Sequence, residues 1–306
     1  MSEKPSALPS VDVVIVNWNG GLEILAAARS AIAFGGRPIV VDNGSADGSI
    51  EVVERAVPEA HCIRMGRNAG FAAACNAGVG AGQSEFVFLL NPDAEIVGGT
   101  RAEIVAAFDY DASVRIVGPA ILSPDGQLTP SARRFPSVAS LFLYQLKLHR
   151  LARFVPPLAD YFMLDFDARE AALIDQPMGA AFIMRRTDWD AIGGLDERYF
   201  LWFEEVDLAR RVANDGGRSV YWPGIAVSHI GGTSFARLRR SERQRIWNAS
   251  VERYARSHFG RRGRRLLRAT FPIASLLAAV LERADAWMLK RRDSGSPPGP
   301  PVRRDP

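Results

Sequence analysis

The sequence has 306 residues, 47% of them hydrophobic and 24% charged, with a formal net charge of +4. That length buries a full core, and the composition is that of a soluble globular chain rather than a disordered or fibrous one. Two cysteines, Cys62 and Cys75, exclude a disulfide framework or a metal knuckle and make a reducing, cytoplasmic setting the expectation.

Residues 1–10 are polar and proline-containing and read as a flexible N-terminus without the apolar core of a signal peptide. The β-branched run 11–17 (VDVVIVN) predicts a buried parallel strand. Gly20-Gly21 breaks it, and Leu22, Leu25, Ala28 and Ile32 then recur at helical spacing over 22–34. A second buried strand, 39–41, leads to Asp42. The stretch Asn43-Gly44-Ser45-Ala46-Asp47-Gly48-Ser49 carries turn and helix-cap chemistry for a helix running to about Ala56. A third strand spans 62–65, Asn68-Ala69-Gly70 opens a helix over 71–81, and a fourth strand, 85–90, runs into Asn91-Pro92-Asp93. Four alternations of strand and helix predict an α/β fold with a Rossmann-like, mostly parallel sheet flanked by helices. Such a sheet binds ligands beyond the C-terminal ends of its strands. Asn17, Asp42, Asn68 and Asp93 all fall at those ends or in the connections that follow.

Further along, the pattern predicts a helix over 100–108, a strand over 116–121 and a turn at Pro124-Asp125-Gly126. Residues 130–175 are harder to read, with a helix expected over 138–154 and a loop through Pro156-Pro157. A strand over 178–185, a helix over 186–192 and a Gly193-Gly194 turn precede a helix over 203–215 that passes from acidic to basic. Two short strands are expected at 219–223 and 226–229. Residues 236–306 hold 18 Lys/Arg against 6 Asp/Glu, whereas residues 1–235 hold 20 against 28. The basic stretch predicts a helix over 243–268 and then an apolar segment, 269–281, too short for a span of about 20 residues. Residues 292–306 are charged and rich in Pro and Gly, and are expected to be disordered.

Seven blocks occur in order: IVNWNG (15–20), VVDNGSADGS (40–49), RNAGFAAACN (67–76), LLNPDA (89–94), GAAFIMRR (179–186), GGLDERYFLWFEEVDLARR (193–211) and AVSHIGG (226–232). Together they resemble the family-two glycosyltransferases of the GT-A fold, most closely their bacterial rhamnosyltransferase branch, over residues 11–235. The resemblance implies an inverting, metal-dependent transfer of a sugar from a nucleotide-diphosphate donor to an acceptor hydroxyl. It places the base and ribose against Val16, Asn17 and Trp18, with Asp42 accepting from the ring N–H of uracil or thymine. Asn43 either holds its turn or touches ligand. Arg67 is either a solvated surface residue or, with Asn68 and Gly70, part of the nucleotide site, where glycine lets the backbone come close.

Where the family has Asp-x-Asp, this chain has Asn91-Pro92-Asp93. Asp93 is then the main carboxylate ligand of a divalent cation, Mg²⁺ or Mn²⁺, and Asn91 faces the ribose or a water on the metal. His229 matches a histidine that the resembling enzymes place on the metal, and a histidine suits Mn²⁺. In the acidic helix start, Glu205 takes the position of the general base and Glu204 that of an acceptor-hydroxyl ligand. Trp202 and Phe203 either supply an apolar wall for a sugar ring or belong to the core. Asp207 is read as structural, pairing with Arg210 or Arg211 at helical spacing.

The resemblance favours dTDP-rhamnose, with UDP-sugars open, and an acceptor that is a glycan or lipid-linked. A non-catalytic nucleotide-sugar or glycan-binding domain is the rival reading. The basic segment 236–291 is expected to contact the anionic inner face of the plasma membrane as a peripheral anchor in envelope-polysaccharide synthesis. It lacks the interleaved aromatics of a nucleic-acid module, so no nucleic acid is expected.

Overall fold

The computed structural model describes residues 8–231 and 238–294. The predicted alternation is present as strands β1 (Val11–Asn17), β2 (Arg37–Asp42), β3 (His61–Arg64) and β4 (Phe86–Leu90) with helices Glu23–Ala33, Ser49–Ala56 and Phe71–Gly80 between them. These four strands pair in parallel in the order β3-β2-β1-β4, and β1 meets β2 from Asp12↔Arg37 to Asn17↔Asp42. All of β1 is buried, because helices cover both faces of a parallel sheet.

β5 (Ala94–Gly98), β6 (Val114–Leu122), the short β7 (Leu128–Thr129) and β8 (Ala132–Arg133), and then β9 (Ala172–Ile174), β10 (Gln176–Pro177), β11 (Ala181–Arg185) and β12 (Arg218–His229) complete the strands. β11 lies antiparallel between β4 and β6, β12 runs parallel to β6, and β5 closes the edge antiparallel to β12. This alternation has one consequence for function. The C-terminal ends of β1, β2, β4 and β12 and the N-terminal ends of β5 and β11 all emerge on the same edge of the sheet.

At the opposite edge, Asp12 sits fully buried as the second residue of β1. Its carboxylate takes Nε of Arg37 at 2.8 Å, Nη2 of Arg186 at 2.9 Å, and both the N–H and the hydroxyl of Ser84 at 2.8 Å. Burial alone would raise this carboxyl, but these donors more than offset it and hold Asp12 below its usual value. The group ties three chain segments to β1.

Four differences from the sequence-based expectations have physical causes. The predicted helix 138–154 is broken into Val138–Gln145 and a 3-10 turn, Leu148–Phe154, by Lys147 in a left-handed backbone, φ 63°. The two strands expected at 219–223 and 226–229 form one strand whose register against β6 shifts between Trp222 and Ala226, absorbing Pro223 and Gly224. The expected helix 243–268 is two helices, Arg240–His258 and Arg261–Ser294, separated at Phe259-Gly260. The second continues into residues expected to be disordered, of which 295–306 lie outside the described residues.

The basic segment is also joined to the domain rather than appended to it. Val251, Tyr254, Ala255 and Leu267 share one buried cluster with Tyr199, Phe203, Val206 and Leu141. Of the residues expected to be flexible, 1–7 lie outside the described set. Pro9 and Ser10 are bound to the sheet edge, where the Ser10 carbonyl accepts from Phe86 N–H at 3.0 Å.

Candidate active site

A cavity of about 360 Å³ opens at the edge where the strand ends gather. Of the residues singled out from the sequence, Val16, Trp18, Asn68, Asn91, Asp93, Trp202, Glu204, Glu205 and His229 all line it. Asn17, Asp42, Arg67 and Gly70 do not.

Asn17 is wholly buried, and its amide is spent on Asp42, Ser45 and Ser49, the last at 2.8 Å, while its carbonyl oxygen accepts from Gly20 N–H. It braces the turn after β1 and does not line the cavity. Asp42 receives the Ser45 N–H on both oxygens at 3.3 Å each and is nearly closed off. Asn43 lines the cavity, and its side chain bonds Asn68, Ala69 N–H and the Gly70 carbonyl. Arg67 is exposed.

Gly70 has φ +96°, and a Cβ there would meet the Phe200 carbonyl at 2.9 Å, while Phe71 N–H donates to that same carbonyl at 2.8 Å. Its role in the fold is to let the 193–203 loop dock on the helix Phe71–Gly80.

The turn Asn91-Pro92-Asp93 is fixed from both sides. Asn91 N–H donates to the Ala180 carbonyl before β11, and Ile230 N–H donates to the Asp93 carbonyl after β12. The side chains converge as a result: His229 Nε2 lies 3.2 Å from Asp93 Oδ1 and 3.4 Å from Asn91 Nδ2. Asp93 Oδ1 and His229 Nε2 are thus spaced as adjacent donors on one divalent cation are. Among the described residues no group of three or more His, Cys, Asp or Glu could hold a metal ion. The protein offers two donors here, and the oxygens of a bound phosphate ester would have to complete the shell.

Glu204 and Glu205 open the helix Glu204–Asn214. Directly before it, Trp202 and Phe203 both take left-handed backbone, φ 65° and 74°, which costs non-glycine residues about 1–3 kcal/mol each. Phe203 is core, packed on Trp247 and Tyr254, and Ser250 Oγ donates to the Leu201 carbonyl at 2.7 Å. The C-terminal helix therefore holds the strained turn in place, and the turn aims both glutamates into the cavity.

Glu204 is 4% exposed, and neither its Oε2 nor that of Glu205 has a hydrogen-bond partner among the described residues. Burial raises both carboxyls. The charge of Glu205 raises Glu204 further, while backbone N–H groups of the helix start work in the opposite direction on Glu205. Gly179 leaves room for Glu205, since a Cβ at Gly179 would lie 2.9 Å from Oε1.

Asp207 points away into structure, bound by Arg211 Nε and His258 Nε2 at 2.8 Å each. Burial would raise it, but His258 and Arg211 hold it below its ordinary value. Arg211, not Arg210, is its partner.

Sequence reasoning missed the remaining walls. Met178, Gly179 and Ala180 come from the residues just before β11, Phe200 and Leu201 from the docked loop, and Leu238, Glu242 and Ile246 from the C-terminal segment. Only the i, i+4 spacing of Glu242 and Ile246 could have hinted at a shared helix face.

Comparison with known proteins bears on the family and the fold. The chain is 28% identical over 233 residues to an N-acetylglucosaminyl-diphospho-decaprenol L-rhamnosyltransferase of Mycobacterium tuberculosis, covering 71% of this chain and 75% of that one. It is 24% identical over 221 residues to a low-salt glycan biosynthesis hexosyltransferase of Haloferax volcanii, covering 68% and 63%. Among solved structures, the fold matches a mannosyltransferase of Pyrobaculum calidifontis in complex with GDP-Man and Mn²⁺, with TM-score 0.52 and 17% identity over 97% of this chain and 79% of that one. It also matches GalNAc-T7 with UDP, GalNAc and Mn²⁺, with TM-score 0.53 and 17% identity over 73% and 44%. The family model for glycosyl transferase family 2 matches residues 12–168, half of the chain. With its α/β sheet and flanking helices of GT-A type, the chain belongs to glycosyl transferase family 2.

Proposed function

We propose that this glycosyltransferase inverts configuration, moving rhamnose from dTDP-rhamnose to a hydroxyl of a diphosphate-linked lipid glycan in cell-envelope synthesis. The observation that carries the reading is the placement of buried Glu204 and half-buried Glu205 in the same cavity as Asp93 and His229. The relative from Mycobacterium tuberculosis, by its name, supports the choice of rhamnose and of a lipid-linked acceptor.

In a single displacement the acceptor oxygen attacks the anomeric carbon from the face opposite the departing diphosphate, and the configuration inverts. Glu205 accepts the acceptor proton, Glu204 positions the acceptor hydroxyls, and Trp202 offers the sugar an aromatic face. Val16, Trp18 and Asn68 border the nucleotide, and the loops that Asn17, Asp42 and Gly70 shape, together with exposed Arg67, complete that side. Asp93 and His229, with Asn91 beside them, would hold a Mg²⁺ or Mn²⁺ ion. Such an ion neutralises charge on a diphosphate leaving group. The deciding experiment is thermal stabilisation by a panel of dTDP-, UDP- and GDP-sugars, with Mn²⁺ or with chelator. One donor should raise Tm by on the order of 5 °C at a hundredfold excess over Kd, and only with the cation. Stabilisation by none, or equal stabilisation under chelator, would sink the reading.

Peripheral membrane contact belongs to the same proposal. Among the described residues no helix is long and apolar enough to cross a membrane. On the helix Arg261–Ser294, however, Leu266, Ile273, Leu277 and Val280 recur seven, eleven and fourteen residues on and are exposed, with Arg262 and Arg265 beside them. An outward apolar stripe flanked by arginines suits an anionic lipid surface, where each basic residue contributes about 1 kcal/mol. The double variant Ile273→Gln/Val280→Gln should lose roughly tenfold or more in affinity for phosphatidylglycerol vesicles. Unchanged binding would remove the stripe from the argument, and equal binding of wild type to phosphatidylcholine would remove the arginines.

A further inference from the structure

We propose that a second cavity, beside the first and lined by Lys147, Arg240 and Arg243, holds the diphosphate of the lipid-linked acceptor. The proposal rests on the glycosyl-transfer reading and adds to it the place where the acceptor is gripped.

The cavity measures about 260 Å³. Its lining includes three cations and no carboxylate. Lys147 Nζ donates to a neutral amide, Gln244 Oε1, at 2.6 Å. Arg240 is paired with Asp285 at 2.5 Å, while Arg243 has no ion pair among the described residues. Lys147 stands after the helix Val138–Gln145 in left-handed backbone, φ 63°, a conformation that glycine adopts far more readily. Burial lowers its ammonium below the ordinary lysine value, and Arg240 and Arg243 lower it further. Like charges brought together and partly desolvated in this way call for an anion. Arginine forks and a lysine ammonium suit the several oxygens of a diphosphate.

Position identifies which anion. Trp202 lines both cavities, and the helix Arg240–His258 lines both with adjacent faces. Glu242 and Ile246 face the first; Arg243, Gln244 and Trp247 face the second. Trp202 and Trp247 meet edge to face, ring centroids 5.8 Å apart, and form an aromatic partition between the two. A sugar whose hydroxyl reaches Glu205 would cross this partition and place its anomeric diphosphate among the cations. The second cavity also borders Leu281, which is exposed and continues the outward stripe of the last helix. That is an exit for a long apolar chain. A nucleotide donor has no use for such an exit, since its diphosphate faces the strand ends.

The test uses farnesyl diphosphate, farnesol and inorganic pyrophosphate, titrated calorimetrically into the full chain with chelator present so that any cation site is silent. Farnesyl diphosphate should bind. Lys147→Gln and Arg243→Gln should each weaken it roughly tenfold to a hundredfold, as expected for a lost charge-assisted contact. Lys147→Arg should restore most of that loss, and the exposed Arg256→Ala should change nothing. Unaltered affinity in both glutamine variants overturns the proposal, as does farnesol binding as tightly as its diphosphate. Pyrophosphate binding as tightly as farnesyl diphosphate overturns the lipid part and leaves a site for a free anion. Nucleotide-sugar hydrolysis, measured in the same preparations, separates the two failures. A chain that consumes donor but ignores farnesyl diphosphate fails here alone. One that binds farnesyl diphosphate but consumes no donor fails as the proposed transferase while this site stands.

Discussion

Glu205→Gln should lower turnover by about 10²–10⁴-fold while nucleotide-sugar affinity stays near wild type. An alcohol is a weak nucleophile at neutral pH, and a carboxylate within reach of its proton lowers the barrier as the new bond forms. Glutamine keeps the shape that packs against Gly179 and removes only the proton acceptor. The pH profile gives an independent check. Burial raises both glutamates, and the charge of Glu205 raises Glu204 further. The pair therefore titrates jointly, above the ordinary glutamate value of 4.5. A base that keeps its proton to higher pH works only above that pH. The acid limb of kcat/KM should thus lie above 4.5, with activity lost as pH falls through it and regained as pH rises. Glu204→Gln should leave this limb above 4.5 while turnover persists, because burial and not the charge of Glu204 is what raises Glu205. If Glu204→Gln is the inactive variant and Glu205→Gln turns over normally, the two roles are exchanged.

The half of the fold that lies nearest the N-terminus was legible because burial on both faces leaves a simple signature. β1, β2 and β4 are short apolar runs closed by polar residues, and those closing residues are gathered on one edge. The rest was less legible because tertiary packing decides it. β5 is five residues long and follows the Asn91-Pro92-Asp93 turn at once, so no periodicity could develop. The strand β12 looked like two because Pro223-Gly224 punctuates it, yet pairing on both sides carries it through. Asp12 hid within an apolar run, since its partner Arg186 lies far along the chain.

The C-terminal segment was legible only in its charge. Counting arginines suggested a surface anchor and gave no sign that Trp247, Val251 and Tyr254 follow helical spacing and pack on Phe203 of the turn that aims the glutamates, or that His258 binds Asp207. A charge count sums over all faces of a helix and cannot show that one of them is core. The same holds for the candidate site. Residues at strand ends could be named from order alone, whereas Glu242, Ile246 and the floor at Gly179 depend on contacts between distant segments. Removing the segment to test membrane contact would therefore expose the core, which is why point substitutions on its outer stripe are the cleaner probe.

Asp93→Asn should weaken nucleotide-diphosphate binding at least tenfold to a hundredfold and abolish turnover, with the fold intact. The estimate follows losses seen when groups supporting a metal are removed, which a direct ligand should equal or exceed. Asparagine preserves the shape of a side chain at a turn that two backbone hydrogen bonds already fix. What it removes is the carboxylate charge, and with Asn91 already an amide the turn would then offer none. His229→Ala tests the other donor by a different route. A neutral imidazole contributes no charge, so its loss should lower cation affinity yet leave the phosphate oxygens and Asp93 to hold the ion. Raising Mn²⁺ should restore much of the activity of His229→Ala and little of that of Asp93→Asn. A missing donor can be offset by mass action, whereas a missing charge also weakens the attraction for any cation that enters. Spacing at 3.2 Å between Asp93 Oδ1 and His229 Nε2 makes the two variants comparable, because both donors address one point. Full turnover by wild type under chelator would mean that this pair braces the turn and that the diphosphate is held without a metal, whereas Mn²⁺ rescue of both variants alike would mean that the charge of Asp93 is not what draws the cation.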